Sequence, residues 1–274
     1  MLDTLSGAPQ PKLYKYRSMS TEREQEWVRD ILLNNRLFFP TRLSFNDPFD
    51  CRIPMSSEGV TPDDLEKKLL EVYSRNPPIH WGSSWKGQPK EFVKALREDG
   101  SIKQVLAGDL LRKAAETRLD NLRVLCLCEK PDGILMWSHY ANNHEGVCVE
   151  LEVLSGSYFA GAVRVIYSED YPKLKLTMGK RELADGMVRT KAMHWAYESE
   201  WRVFDLDVPP FHHFPKECLS GVILGCQISA PNENLIIEWL SERSSPTTLY
   251  RAVKAEDKFA VRIEKIREIG PPLM

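Results

Sequence analysis

Seven short segments between residues 124 and 266 constrain this chain more than any other feature: 124–128, 146–152, 163–168, 198–206, 221–225, 248–253 and 261–266. Each is β-branched or alternates apolar with polar residues, and each is bounded by turn residues, as strands are. Helical periodicity interrupts them irregularly, at 133–141, near 182–193 and at 232–243, where Leu235, Ile236, Trp239 and Leu240 form an apolar stripe. Strands without regular helix alternation predict an α+β fold with a mixed or split sheet, not a doubly wound parallel one.

The first 60 residues add a front section to that sheet. Residues 12–17 alternate so that Tyr14 and Tyr16 share one strand face, while Arg17 ends the strand on the side of Leu13. Thr21 and Glu24 have the spacing of a capping box, ahead of a helix with the stripe Trp27, Val28, Ile31 and Leu32. Residues 37–40 read as a short strand and 45–50 as a loop, with Asp47 forced extended before Pro48. From about 61 to 123 the pattern turns helical, with Pro62 opening one helix after Thr61, Leu65, Leu69, Val72 and Tyr73 following on it, and a second helix at Val105, Leu110, Leu111 and Leu119. The expected organisation is a disordered lead over 1–12, carrying Pro9 and Pro11, and one α+β domain over 13–270 with a helical insertion at about 61–123.

Charge and composition narrow the function. Lys and Arg number 37 against 39 Asp and Glu, a net charge of -2, so a protein that coats polyanions is excluded. No run approaches the roughly 18 apolar residues of a membrane span, and the start lacks the apolar core of a signal peptide, which points to the cytoplasm. The six cysteines, several within apolar strand-like sequence, read there as thiols and not as a disulfide framework. The pair Cys126 and Cys128 suits strand packing better than a zinc knuckle. The zincin-like His144-Glu145 lacks its second His, so no metal is expected.

Three constellations could carry chemistry. In residues 191–203 a strand from 197 puts Glu198, Glu200 and Arg202 on one face. That is either an exposed same-strand ion pair or a pair of carboxylates working on a sugar, accepting a ribose hydroxyl and steadying an oxocarbenium-like cation. Around residues 136–150, Trp137, His139 and Tyr140 either pack the core or stack a flat heterocycle at a helix-to-strand turn. Near the start, Arg17 is either paired with a neighbouring acid or bound to a phosphate or ribose, and Asn46-Asp47-Pro48 is an Asx turn or part of the same pocket.

Together the segments Y-K-Y-R (14–17), F-N-D-P-F-D (45–50), M-W-S-H-Y-A-N-N-H-E-G-V-C-V-E (136–150) and W-A-Y-E-S-E-W-R (195–202) resemble the signature of a bacterial domain-of-unknown-function family, DUF2971, from Leu13 to about Gly225. More remotely, the order of an Arg-bearing strand, an aromatic motif and a late Glu-x-Glu strand resembles ADP-ribosyltransferases, including those of toxin–antitoxin and phage-defence systems. That resemblance implies NAD as substrate, an ADP-ribosyltransferase-like split sheet, and a protein or nucleic-acid acceptor. It assigns Arg17 to orienting NAD, His139 and Tyr140 to supporting the nicotinamide ribose, and Glu200, preceded by Glu198, to stabilising the developing cation. Tyr14, Tyr16, Asn46, Asp47, Trp137 and Arg202 complete the expected NAD-binding set. Trp137-Ser138 departs from the usual Ser-Thr-Ser, and the first strand has Tyr where His is frequent. Two other readings stay open: a magnesium-dependent nuclease using Asp47, Asp50, Glu198, Glu200 and Lys191, and a non-catalytic sensor or binding module.

Overall fold

The computed structural model describes residues 11–56, 58–64, 66–67, 89–100, 116 and 119–270. Residues 1–10 of the expected lead and most of the expected insertion, including Leu65, Leu69, Val72, Tyr73, Val105, Leu110 and Leu111, lie outside them. Within the described part of the insertion, Thr61 does begin the helical turn at Pro62, its hydroxyl donating to the Asp64 carboxylate at 2.7 Å.

The architecture is α+β, as the strand pattern predicts. Strand β1 (Lys12–Arg17) is followed by helix α1 (Glu22–Asn34), whose capping box is formed by Thr21 and Glu24. Then come β2 (Arg36–Phe38), helix α2 (Pro89–Glu98), β3 (Leu122–Cys128), α3 (Ile134–Tyr140) and β4 (Val147–Glu152). Next are β5 (Val163–Arg164), β6 (Ile166–Ser168), α4 (Lys180–Arg189), β7 (Thr190–Ala192), β8 (Glu200–Leu206) and β9 (Phe211–His213). The chain ends with β10 (Leu219–Leu224), α5 (Ala230–Ser241), β11 (Thr247–Lys254) and β12 (Val261–Ile269). Eight strands form one mixed sheet in the order β12-β11-β10-β4-β1-β3-β8-β5, in which only β10 and β11 run parallel. No helix among the described residues is long and apolar enough to cross a membrane.

Period-two alternation divides the sheet into two working faces. Leu125, Leu127, Val147, Val149, Trp201 and Val203 pack with Val28, Ile31 and Leu32 of α1 and Ile236 and Leu240 of α5. On the opposite face lie two separate apolar clusters. One joins Val124 and Leu122 to Leu183, Met187 and Val188 of α4; the other joins Tyr16, Cys128 and Cys148 to Met136 and Trp137 of α3. Polar side chains fill the seam between those two clusters, and that seam is where the candidate site lies. All six cysteines are unpaired thiols.

Three segments differ from their sequence-based reading. The strand expected over 163–168 is two strands in different sheets, because buried Val165 separates them and donates its N–H to the carbonyl of Glu200. The helix expected over 182–193 stops at Arg189, where Thr190 turns extended and residues 190–192 pair in parallel with β6. The strand expected from 197 begins only at Glu200, since residues 193–198 wind into a 3₁₀ turn closed by Ser199 at φ 44°.

The turn after α3 is held by close backbone approach. Asn142, Asn143 and His144 all have positive φ, and a Cβ on Gly146 would lie 2.1 Å from the carbonyl oxygen of Arg17. Backbone on both sides leaves no side chain to yield. Gly146→Ala is therefore expected to cost about 1–3 kcal/mol, as overpacking does, read as a lowered urea midpoint at unchanged slope.

Candidate active site

The cleft begins where the sheet opens. Strand β1 is paired with β4 at every residue from Lys12 to Arg17, yet with β3 at the single pair Tyr14 and Cys128. Beyond that pair the Lys15 ammonium spans the gap and donates to the carbonyl of Cys126 at 2.6 Å. The cavity there spans about 640 Å³ of empty space, the open solvent at its mouth included. Its walls are Tyr14, Lys15 and Tyr16 from β1, Cys126 to Cys128 from β3, and Met136 and Tyr140 from α3. Phe45, Asn46 and Asp50 of the loop after β2 close one side, and Lys191, Glu198 and Glu200 form the acidic end.

That end is a buried network of five charges. Arg202, fully buried, places all five guanidinium N–H groups. It donates to Asp50 Oδ1 and Oδ2 at 2.8 and 2.6 Å, to Glu200 Oε1 and Oε2 at 2.8 Å each, and to the carbonyl of Val188 at 3.0 Å. Lys191 donates to Glu198 and, at 3.1 Å, to Glu200 Oε2, with Asp50 at 3.5 Å. Tyr140 donates its hydroxyl to Glu198 Oε1 at 2.5 Å. Ser199 in the left-handed conformation makes this possible: it turns Glu198 back toward β7 although Glu198 is not on the strand that carries Glu200.

The two glutamates are placed differently. Burial alone would raise the Glu200 carboxyl, but Arg202 and Lys191 outweigh it and hold the group at about 2, firmly ionised. Burial pushes the Glu198 carboxyl up; Lys191 opposes this, while the negative charge of Glu200 adds to it. With all five groups ionised, the three carboxylates exceed the two cations by one negative charge. Lone pairs divide unequally as well. Glu200 accepts two bonds from Arg202 and one from Lys191, with the Cys126 thiol beside it, whereas Glu198 accepts one bond each from Lys191 and Tyr140. Glu198 thus keeps acceptor capacity toward the cleft, and Glu200 has almost none.

The residues singled out from sequence therefore separate into two groups. Tyr14, Tyr16, Asn46, Tyr140, Glu198 and Glu200 line the one cleft. Arg17 does not: alternation puts it on the Leu13 face, where its Nε is buried without a partner and burial lowers the guanidinium to about 10. Trp137 is completely buried, its indole N–H on the carbonyl of Pro131 and its ring edge-on to Tyr16. His139 is exposed and bonded to the Tyr197 hydroxyl at 3.0 Å. Asp47 makes the Asx turn, accepting the N–H of Phe49 at 2.8 Å, and Arg202 sits behind the glutamates. Of the nuclease set, Asp50 and Lys191 do reach the cleft, but as ion-pair partners. Sequence reasoning gave no role to Lys15. Its position between Tyr14 and Tyr16 puts it on the opposite strand face, and only the opened ladder brings its ammonium into the cavity.

Residues 136–203 match the family described as protein of unknown function (DUF2971). That segment carries most of α3, β7, Lys191, Arg202 and both glutamates, so the acidic end of the cleft, Asp50 apart, falls inside the matched region. Neither a curated protein nor a solved structure matches the chain.

Proposed function

We propose that the cleft binds NAD and assists cleavage of its bond to nicotinamide, the reaction of an ADP-ribosyltransferase acting in the cytoplasm as a bacterial toxin or phage-defence effector. The observation that carries this reading is Glu198, a carboxylate that accepts from Lys191 and Tyr140, keeps acceptor capacity to spare and lines an aromatic cleft. Departure of nicotinamide leaves positive charge on the ribose. A carboxylate that is buried, oriented by Tyr140 and Lys191 and still able to accept a hydroxyl stabilises that charge more than the neutral ground state. Glu200 serves as its anchor: held ionised by Arg202, it fixes Lys191, and Lys191 fixes Glu198. Tyr14, Tyr16, Phe45 and Met136 supply flat and apolar surface for the nicotinamide and adenine rings. The acceptor, protein or nucleic acid, takes the ribosyl group from the open side.

The magnesium nuclease reading is less well supported, because Arg202 and Lys191 already occupy the carboxylates. Among the described residues no group of three or more His, Cys, Asp or Glu is arranged to hold a metal ion.

The direct test is incubation of the protein with labelled NAD and cell lysate, following label into protein, nucleic acid or free ADP-ribose. Release of nicotinamide supports the reading. Tight NAD binding without turnover selects a sensor, and no binding removes NAD altogether. Tyr140→Phe is expected to slow nicotinamide release about ten- to a hundredfold, the worth of one hydrogen bond to a charged group. An unchanged rate in that variant would show that Glu198 needs no orientation from α3.

A further inference from the structure

We infer that Lys15 is an anion subsite, the group through which the cleft recognises a phosphate-bearing ligand and rejects the corresponding nucleoside. Lys15 lines the cavity, and its Nζ has one acceptor among the described residues, the carbonyl of Cys126, although an ammonium carries three donors. Every other charged side chain lining the cleft has an ion-pair partner: Asp50 and Glu200 pair with Arg202, and Lys191 with Glu198 and Glu200. Lys15 has no ion-pair partner among the described residues. Asn46, which also lines the cavity, makes no side-chain hydrogen bond among the described residues, so the cleft offers a neutral donor as well as the free cation.

A half-buried ammonium without a counter-ion is costly, and a ligand phosphate relieves that cost while gaining charge-assisted hydrogen bonds. Burial brings the Lys15 ammonium down to about 8, with Arg17 on its own strand pushing the same way and Cys126, Glu200 and Glu198 opposing from the facing elements. The free site thus loses its charge as pH rises through about 8, and affinity for a phosphate ligand falls with it.

This inference rests on the reading of the cleft as a nucleotide site, and the test separates the two. Binding of inorganic pyrophosphate, NAD and nicotinamide riboside is measured by calorimetry for the wild type, Lys15→Met and Lys15→Arg, with thermal melts to establish folding. Lys15→Met is expected to weaken NAD and pyrophosphate roughly ten- to a hundredfold, to leave nicotinamide riboside within about twofold, and to be partly rescued by Lys15→Arg. If Lys15-dependent pyrophosphate binding persists while NAD does not bind, the subsite stands and the dinucleotide reading falls. Equal loss of NAD and riboside in Lys15→Met overturns the subsite, as does wild-type protein that binds no phosphate compound.

Discussion

Replacing Arg202 by Met is expected to lower the free energy of unfolding by about 3–5 kcal/mol, the cost of breaking a buried ion pair from one side. The guanidinium is the common partner of Asp50 and Glu200, and both carboxylates are buried. Without it Lys191 alone faces three acidic groups. Urea denaturation of the variant measures the loss, and a shift below about 1 kcal/mol would mean that water or a rearranged Lys191 replaces the guanidinium. The triple variant Asp50→Asn, Glu200→Gln, Arg202→Met removes the charges together and is expected to recover part of the deficit, because it leaves no charge stranded.

The same network sets an acid limb. Glu200 has its folded-state pKa depressed from 4.5 to about 2, so the stability it contributes is fully present above about 4.5 and is lost as pH falls through about 2. Glu198 works in the opposite sense. Its raised pKa means that ionising it opposes folding, a cost that appears as pH rises above the ordinary carboxylate range. Urea midpoints followed from about pH 5 downward should therefore decline in the wild type, and that limb should flatten in Arg202→Met.

The largest effect on activity is expected at Glu198. Glu198→Gln should reduce nicotinamide release about 10²- to 10³-fold, the scale for removing one preorganised electrostatic group, while shifting the urea midpoint little. Its amide oxygen can still accept from Lys191 or Tyr140, so the neighbours keep a partner. Glu200→Gln behaves differently. It removes the negative charge and one of the two acceptors that Glu200 offers Arg202, and its loss of activity should come with a loss of stability approaching that expected for Arg202→Met. Comparing rates per folded molecule separates the two positions. Full turnover by Glu198→Gln would sink the role proposed for it, whereas full turnover by Glu200→Gln would limit that residue to folding.

Local pattern carried much of the fold. The capping box at Thr21 and Glu24, the stripes of α1 and α5 and the alternation in β1, β3 and β4 are short-range features, governed by side-chain period and backbone hydrogen bonding. The Glu198–Arg202 cluster was legible as chemistry but not as geometry. Period two through Ser199 puts both glutamates on one strand face, and a single left-handed residue produces the same convergence by a turn instead. Arg17 shows the opposite failure: its strand face was readable, on the side of Leu13, and that face turned out to point away from the cleft.

The sequence by itself determined the α+β class, most of the longer strands and helices and the residue types concentrated around 136–150 and 191–203, because those depend on neighbours within one or two turns of the chain. Only the tertiary structure decided which charges meet. Asp50 reaches Arg202 across 152 positions, and Lys15 enters the cleft because the ladder between β1 and β3 stops after one pair. Ion pairing and desolvation depend on distance and burial in space, which no local periodicity encodes.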